Sequence, residues 1–319
     1  MSAPAEPAHM PAPTAVRPPT AELAAAFAAI YIVWGSTFLA IRYAVETIPP
    51  FAMVAARCLL GGAVLVAIAL VRERSGLSWP TWREWGGSVV LGAFLFVGCH
   101  GVIAYAEERV PSGTAALCLA TIPLFVPLLV WALPGGVPPS RRRTAALLGG
   151  FGGVALLVAS QDAGGRLDPL QGAMLLGAAL SWAAGTVATR VVPVPRSPVL
   201  GAALPLLSAG VILMLVSLGS GELSSRRLDH VSARSAGGLA YLIVFGTVVT
   251  FSAYVWLLRV VSPSRVATYA FVNPAVAVIL GWGLAGESLS VGAVLASVVI
   301  LVAVAVAVSE RDRAPVAPA

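Results

Sequence analysis

Lysine is absent from this 319-residue sequence, and all 20 basic residues are arginine. A phosphate-binding loop of the G-x-x-x-x-G-K type requires lysine, so ATP is excluded as a direct energy source through such a loop. Charged residues make up only 11% of the chain, and its three cysteines have neither metal-ligand nor redox spacing. Clusters of His, Asp or Glu typical of membrane-embedded enzymes are also missing, so we expect no catalytic residue, metal or cofactor.

Hydrophobic residues dominate what is present. They form 58% of the sequence, and the mean hydropathy is +0.90. About 20 apolar residues are needed for a helix to cross a bilayer. The sequence therefore predicts an all-α integral membrane protein with ten transmembrane helices, near residues 22–42, 51–71, 86–106, 112–133, 143–160, 169–190, 199–219, 237–259, 265–286 and 290–309.

The ends and loops of the chain predict its orientation. Residues 1–21 are rich in proline and alanine and lack the pattern of a cleaved signal, so we expect a disordered tail there and a second tail at 310–319. With a cytoplasmic N-terminus, thirteen arginines lie in inner loops and six in outer loops. The positive-inside rule then predicts that both termini are cytoplasmic. Topology explains the net charge of +6, and no nucleic-acid partner is needed.

The second half of the sequence repeats features of the first. Trp34 precedes Arg42 by the same spacing that separates Trp182 from Arg190. At another constant offset, Val110, Pro123 and Trp131 fall on Val261, Pro274 and Trp282. Each predicted half, 22–160 and 161–309, has an odd number of spans, so the second must enter the membrane inverted. Such inverted repeats place a substrate site near the middle of the bilayer.

Pro123 and Pro274 lie near the middle of their apolar runs. Proline removes a backbone hydrogen bond, so each is predicted to kink or break its helix. Repeated, broken transmembrane helices are typical of secondary transporters.

Several motifs resemble the EamA-type transporters of the drug/metabolite transporter superfamily. They are Trp34-Gly35-Ser36-Thr37-Phe38, Ile48-Pro49-Pro50-Phe51 with Arg57, the segment Ala106 to Gly113, and the segment Arg265 to Pro274 with Gly286-Glu287. The resemblance covers nearly the whole chain after the N-terminal tail. It implies a ten-helix fold with inverted halves, a small-molecule substrate and export across the bacterial inner membrane.

Metabolite or amino-acid efflux is the first hypothesis for the function, and multidrug efflux is the second. A membrane-embedded enzyme or a scaffold is a third. Proton coupling stays open, as does the choice between a monomer and a homodimer.

Three ionisable side chains are candidates for a functional role. Arg57 lies within the second predicted span and must find an anion, a carbonyl group or water, because a guanidinium keeps its proton. We expect it to pair with Glu107 at the outer end of the third span, either as a gate that responds to protons or as a static ion pair. His100 could relay a proton or pack between helices.

Aromatic and hydroxyl side chains on symmetry-related helices predict the substrate path. Asn273 could alternatively satisfy a carbonyl freed by the neighbouring proline, and Glu287 is predicted to satisfy the start of the tenth helix. The predicted path residues are Trp34, Ser36, Thr37, His100, Trp182, Thr186, Tyr254, Trp256, Tyr269 and Asn273.

Overall fold

The protein is helical throughout most of the part that its computed structural model describes, which is residues 19–73, 78–134, 136, 138–159, 168–224, 230–261, 266 and 269–309. Residues 1–18 of the predicted N-terminal tail and the whole C-terminal tail, 310–319, lie outside the described residues. Within the described ranges we group the helical segments as α1 (Thr20–Ala44), α2 (Pro50–Arg72), α3 (Trp82–Ala106), α4 (Ser112–Ala132), α5 (Arg141–Ala159), α6 (Pro169–Ala188), α7 (Pro198–Gly219), α8 (233–260), α9 (Tyr269–Ala285) and α10 (Val291–Ser309).

Seven of these helices, α1 to α4 and α6 to α8, are long and apolar enough to cross a membrane. The apolar stretches of α9 and α10 are shorter, and α5 begins with three arginines. The all-helical membrane fold is therefore confirmed, while a count of ten spans stays a prediction.

Local sequence explains where several helices begin. Thr81 and Glu84 form a reciprocal capping box that starts α3, with the Thr81 hydroxyl accepting from the Glu84 backbone N–H. Ser197 and Ser232 cap α7 and α8 in the same way, each by accepting from a backbone N–H three residues later. Proline occupies the first position of α2, α6 and α7, where no intrahelical N–H bond is lost.

Three helices contain π-helical segments: Ala29–Val33 in α1, Ala93–Gly101 in α3 and Leu242–Val249 in α8. Wider turns of this kind are often found at functional sites because they redirect side chains and backbone carbonyls. The segments in α3 and α8 occupy equivalent places in the two halves.

Two pairs of equivalent helices, α2 with α7 and α5 with α10, pack against each other antiparallel. A Cβ on Gly62 of α2 would contact Leu207 of α7, whereas the start of α2 contacts Glu222, which follows α7. In α5 and α10, Gly149 lies against Ala303 and Gly153 lies against Ile300. Antiparallel contact between equivalent helices is the geometry of an inverted repeat.

The two repeated prolines have different local structures. The helical run of α4 is interrupted at Ala120 and Thr121, just before Pro123, and the Thr121 hydroxyl donates to the Cys118 carbonyl. In contrast, α9 runs continuously from Tyr269 through Pro274 to Ala285. The expected interruption is thus present only in the first copy, and a bend at Pro274 stays a prediction.

Candidate functional site

A cavity of about 100 Å³ lies between the two halves. Its lining comes from α1 to α4 in the first half and from α6, α8 and α9 in the second. Two predicted features, Pro123 and Pro274, line a smaller adjoining cavity of about 80 Å³. Seven of the predicted side chains meet in the main cavity: Trp34, Thr37, Arg57, His100, Trp182, Tyr269 and Asn273.

Trp34 joins α1 to the second half of the molecule. Its indole N–H donates to the Gly246 carbonyl of α8 at 3.2 Å. The ring packs at 5.2 Å between centroids against both Tyr254 and Tyr269, the latter in an edge-to-face arrangement. Aromatic contacts of this kind stabilise a fixed orientation of the indole. Trp34 and Tyr269, which line the cavity, are therefore held in a cluster of aromatic rings from α1, α8 and α9.

Arg57 is held by α8 and not by the predicted carboxylate. Its Nε donates to the Thr247 hydroxyl at 2.9 Å, and Nη2 donates to the Gly246 carbonyl at 3.5 Å. Both carboxylate oxygens of Glu107 lack a hydrogen-bond partner within the described part of the chain. The predicted ion pair between Arg57 and Glu107 is therefore wrong. The sequence places both residues toward the same face of the membrane, but it does not reveal that α8 packs beside Arg57.

Glu107 instead lies just beyond the end of α3, away from the cavity. Its side chain is fully buried, and its backbone carbonyl accepts a hydrogen bond from Arg42 of α1. Burial raises the pKa of the Glu107 carboxyl well above its usual value, the nearby Glu287 carboxylate raises it further, and Arg42 opposes both effects.

Glu287 connects the two halves at this end of the molecule. One carboxylate oxygen accepts from the Ser112 N–H and hydroxyl, both at 2.7 Å, and the other accepts from the Gly113 N–H at 3.1 Å. These groups are at the start of α4, where an acidic group is favoured by unpaired N–H groups and the helix dipole. The expectation that Glu287 satisfies the start of the tenth helix is therefore wrong. Glu287 instead satisfies backbone N–H groups at the start of α4.

His100 lines the cavity, and one contact assigns its tautomer. Its Nδ1 lies 2.9 Å from the Leu95 carbonyl, which can only accept, so Nδ1 carries the proton and Nε2 is left as an acceptor. The ring packs against Phe96 and Trp182, with centroids 5.2 and 5.3 Å away. No group of three or more His, Cys, Asp or Glu side chains in the described ranges could hold a metal ion.

Asn273 is the cavity residue whose structural role is clearest. Its amide nitrogen, assigned to the side of the amide that faces three carbonyl oxygens, donates to Ile30 at 3.0 Å, Tyr31 at 3.1 Å and Tyr269 at 3.2 Å. Ile30 and Tyr31 belong to the π-helical segment of α1. The amide therefore stabilises carbonyls of the partner helix, in addition to one in its own helix.

Four predicted path residues do not line the main cavity. Ser36 bonds to the Val33 carbonyl and to the Tyr241 hydroxyl, and the Thr186 hydroxyl donates to the Trp182 carbonyl one turn earlier. Tyr254 lies behind Trp34. Trp256 packs against a small apolar cluster formed by the start of α1 and the end of α8.

Sequence reasoning missed other lining residues, which include Thr247, Phe96 and Phe251. One signal could have identified Thr247. Gly98 and Gly246 are separated by the same interval as Trp34 and Trp182, so Cys99 and Thr247 are equivalent positions, and both line the cavity.

Comparison with known proteins gives the family. The EamA-like transporter family matches the chain twice, over residues 21–159 and 172–309. YedA of Escherichia coli (strain K12), an uncharacterized inner membrane transporter, is 36% identical over 293 residues, which cover 91% of this chain and 92% of YedA. A WAT1-related chloroplastic protein of Arabidopsis thaliana, At3g02690, is 26% identical and covers 86% of this chain and 66% of its own length.

A solved crystal structure has the same fold. It superposes with a TM-score of 0.61 at 22% identity and covers 92% of this chain and 98% of its own. Together with the apolar helices, these matches identify a multi-pass membrane transporter. The chain belongs to the EamA-like transporter family.

Proposed function

We propose that this transporter exports small metabolites, such as amino acids or related solutes, across the bacterial inner membrane by alternating access. The observation that carries the proposal is the main cavity, which both halves line with aromatic and polar side chains. A site between inverted halves can open to either side of the membrane when the halves rock against each other. The lining suits a solute with an apolar body and few polar groups.

Multidrug efflux is the second candidate, and the aromatic lining favours it. Many drugs exported by such systems are cations. Arg57 is the one formally charged side chain among the described lining residues, and no Asp or Glu is among them. A positive charge in the cavity disfavours cationic solutes, so metabolite export stays the first candidate.

Efflux from proteoliposomes tests the proposal. Vesicles loaded with the standard amino acids and a metabolite mixture are assayed by mass spectrometry, with and without a pH gradient. We expect loss of at least one solute, and a much slower loss for Trp182→Ala. The control is Trp79→Ala, because Trp79 is 74% exposed and outside the cavity lining. Equal retention by protein-containing and empty vesicles would contradict the proposal, and a rate that depends on the pH gradient would indicate proton coupling.

We also propose that both termini are cytoplasmic. The unequal distribution of arginine between loops supports this orientation. In addition, Trp79 and Trp82, near the start of α3, are exposed as expected for interface anchors. A reporter fused to the N-terminus should be active only in the cytoplasm, and periplasmic activity would overturn the orientation.

A further inference from the structure

The Arg57 guanidinium has one nitrogen without a protein partner. Nε and Nη2 are bound to α8, but Nη1 is buried and has no hydrogen-bond partner within the described part of the chain. The residue is only 3% exposed, and it lines the cavity. Thr247 and Gly246 therefore hold the guanidinium in place, while the two N–H groups of Nη1 have no acceptor among the described residues.

The charge of Arg57 is also uncompensated by the cavity lining. A guanidinium stays protonated, and a buried charged donor without a partner is unfavourable by several times the cost of a neutral one. Among the described lining residues there is no Asp or Glu that could neutralise it. The two partners it does have, a hydroxyl and a carbonyl, are neutral. An anion that reaches Nη1 from the cavity would satisfy both its unpaired N–H groups and the charge.

The surroundings of Arg57 restrict which anion fits. One cation suits a single negative charge, whereas a dianionic phosphate would need more positive groups. Trp34 and Trp182 contribute aromatic faces to the same cavity, together with Phe96 and Phe251. With the proton assigned to Nδ1, Nε2 of the neutral His100 ring is an acceptor, so it can accept from a hydroxyl or amine and does not attract a carboxylate.

From these contacts we infer that the cavity binds a small organic monocarboxylate, with its carboxylate on Arg57 and its apolar or aromatic body against the tryptophans. The inference rests on the proposed function, because the same cavity is the proposed transport site. It narrows the substrate class to monoanions and to zwitterions whose carboxylate reaches Arg57.

Binding to the purified full-length protein in detergent tests the inference without requiring transport. The probes are benzoate, phenylacetate and 3-phenylpropionate, each compared by calorimetry with the alcohol and the amine of the same skeleton. We expect at least one carboxylate to bind about tenfold more tightly than its alcohol and amine, because a hydrogen bond to a charged group is worth more than a neutral one. Arg57→Gln should remove this preference, so that the carboxylate binds no more tightly than the alcohol.

A matched variant and a conservative one complete the test. Arg190→Gln removes an arginine whose side chain is exposed at the end of α6, so the preference for carboxylates should persist. Arg57→Lys should retain part of the preference because it keeps the charge. If no carboxylate binds more tightly than its alcohol in the wild-type protein, or if the preference survives in Arg57→Gln, the inference is wrong. The wild-type comparison needs no variant, so it stands even if Arg57→Gln does not fold.

The two proposals fail in different ways. Efflux of a solute together with no preference for carboxylates would overturn the inference and leave transport intact. Arg57-dependent binding of a carboxylate without efflux of any solute would support the anion site and contradict the proposed function.

Discussion

At the level of single residues, two buried threonine hydroxyls on α8 differ in the hydrogen bonds that they form. Thr247 and Thr250 each donate to the carbonyl five residues earlier, at 2.9 and 2.6 Å, as the π-helical geometry allows. Thr247 alone also accepts from Arg57 Nε. Comparison of these two threonines isolates the contribution of the arginine contact.

We predict that Thr247→Val destabilises the protein more than Thr250→Val does. Both variants lose a hydroxyl bond to the backbone, but only the first leaves the buried Arg57 Nε without an acceptor, which costs about 1–3 kcal/mol. The measurement is the thermal unfolding midpoint of each purified variant. Equal shifts would mean that the bond to Arg57 contributes nothing to stability.

We predict that Glu107→Gln makes stability less dependent on pH. Because burial raises the folded pKa of Glu107, the stability associated with its neutral form is complete below the unfolded pKa of about 4.3 and is lost as pH rises through the folded value. Glutamine stays neutral, so the unfolding midpoint of the variant should fall less than that of the wild type as pH is raised. Glu46→Gln, which alters an exposed carboxyl paired with Arg234, is the control. An unchanged pH profile in Glu107→Gln would contradict the prediction.

At the level of helices, most boundaries could be predicted from sequence. The apolar runs predict the observed ends closely, and the largest differences at described ends, at the starts of α3 and α8, are four residues. The bounds are predictable because the thickness of the bilayer sets how many consecutive apolar residues a spanning helix needs. The π-helical segments could not be predicted, because they change hydrogen-bond partners and leave composition unchanged. Thr247 was missed for a related reason, since its importance depends on which helix packs beside Arg57.

Paired glycines show how the two halves approach each other. In α8, a Cβ on Gly238 would come within 2.8 Å of the Ala40 carbonyl of α1, whereas one on Gly237 would meet nothing within 4 Å. The equivalent pair in α3 behaves in the same way, because a Cβ on Gly87 would lie 2.0 Å from the Pro193 carbonyl and one on Gly86 would meet nothing. The second glycine of each pair therefore permits close packing against the opposite half.

We predict opposite effects for alanine at the two positions of each pair. Gly238→Ala and Gly87→Ala should destabilise the fold by about 1–3 kcal/mol, because backbone atoms must move apart. Gly237→Ala and Gly86→Ala should be neutral or stabilising by about 0.5–1 kcal/mol, since alanine favours the helix. SDS titration of the purified variants measures the differences. Similar effects within a pair would show that close packing at the second glycine is not required.

For the whole molecule, the contact of Glu287 with the start of α4 closes one end of the interface between the halves. Three hydrogen bonds cross from the loop after α9 to Ser112 and Gly113. Their acceptor is a charged carboxylate, so losing them should cost more free energy than losing bonds to a neutral acceptor. Under alternating access, this end must separate when the cavity opens toward that face of the membrane.

We predict that Glu287→Gln favours the state that is open at this end. The amide nitrogen cannot accept the bonds that the lost oxygen accepts, so the closed state is weakened by about 1.5–3 kcal/mol and the ratio of closed to open molecules falls about tenfold or more. Cys99 lines the cavity and is 1% exposed, so its labelling reports opening. With Cys58→Ser and Cys118→Ser as background, a membrane-impermeant maleimide is added to one face of oriented vesicles at a time.

Labelling of Cys99 in Glu287→Gln should rise from the face where α4 begins and should not rise from the opposite face. The control is Glu84→Gln, because the Glu84 carboxylate accepts from the backbone N–H and the hydroxyl of Thr81 at the start of its own helix, far along the chain from Ser112 and Gly113. It should leave both labelling rates unchanged. A rise from both faces would indicate general loosening, and no rise from either face would show that Glu287 does not hold the two halves closed. A rise confined to the face of α4 would identify a single carboxylate of the second half as the group that governs access to a cavity built by both.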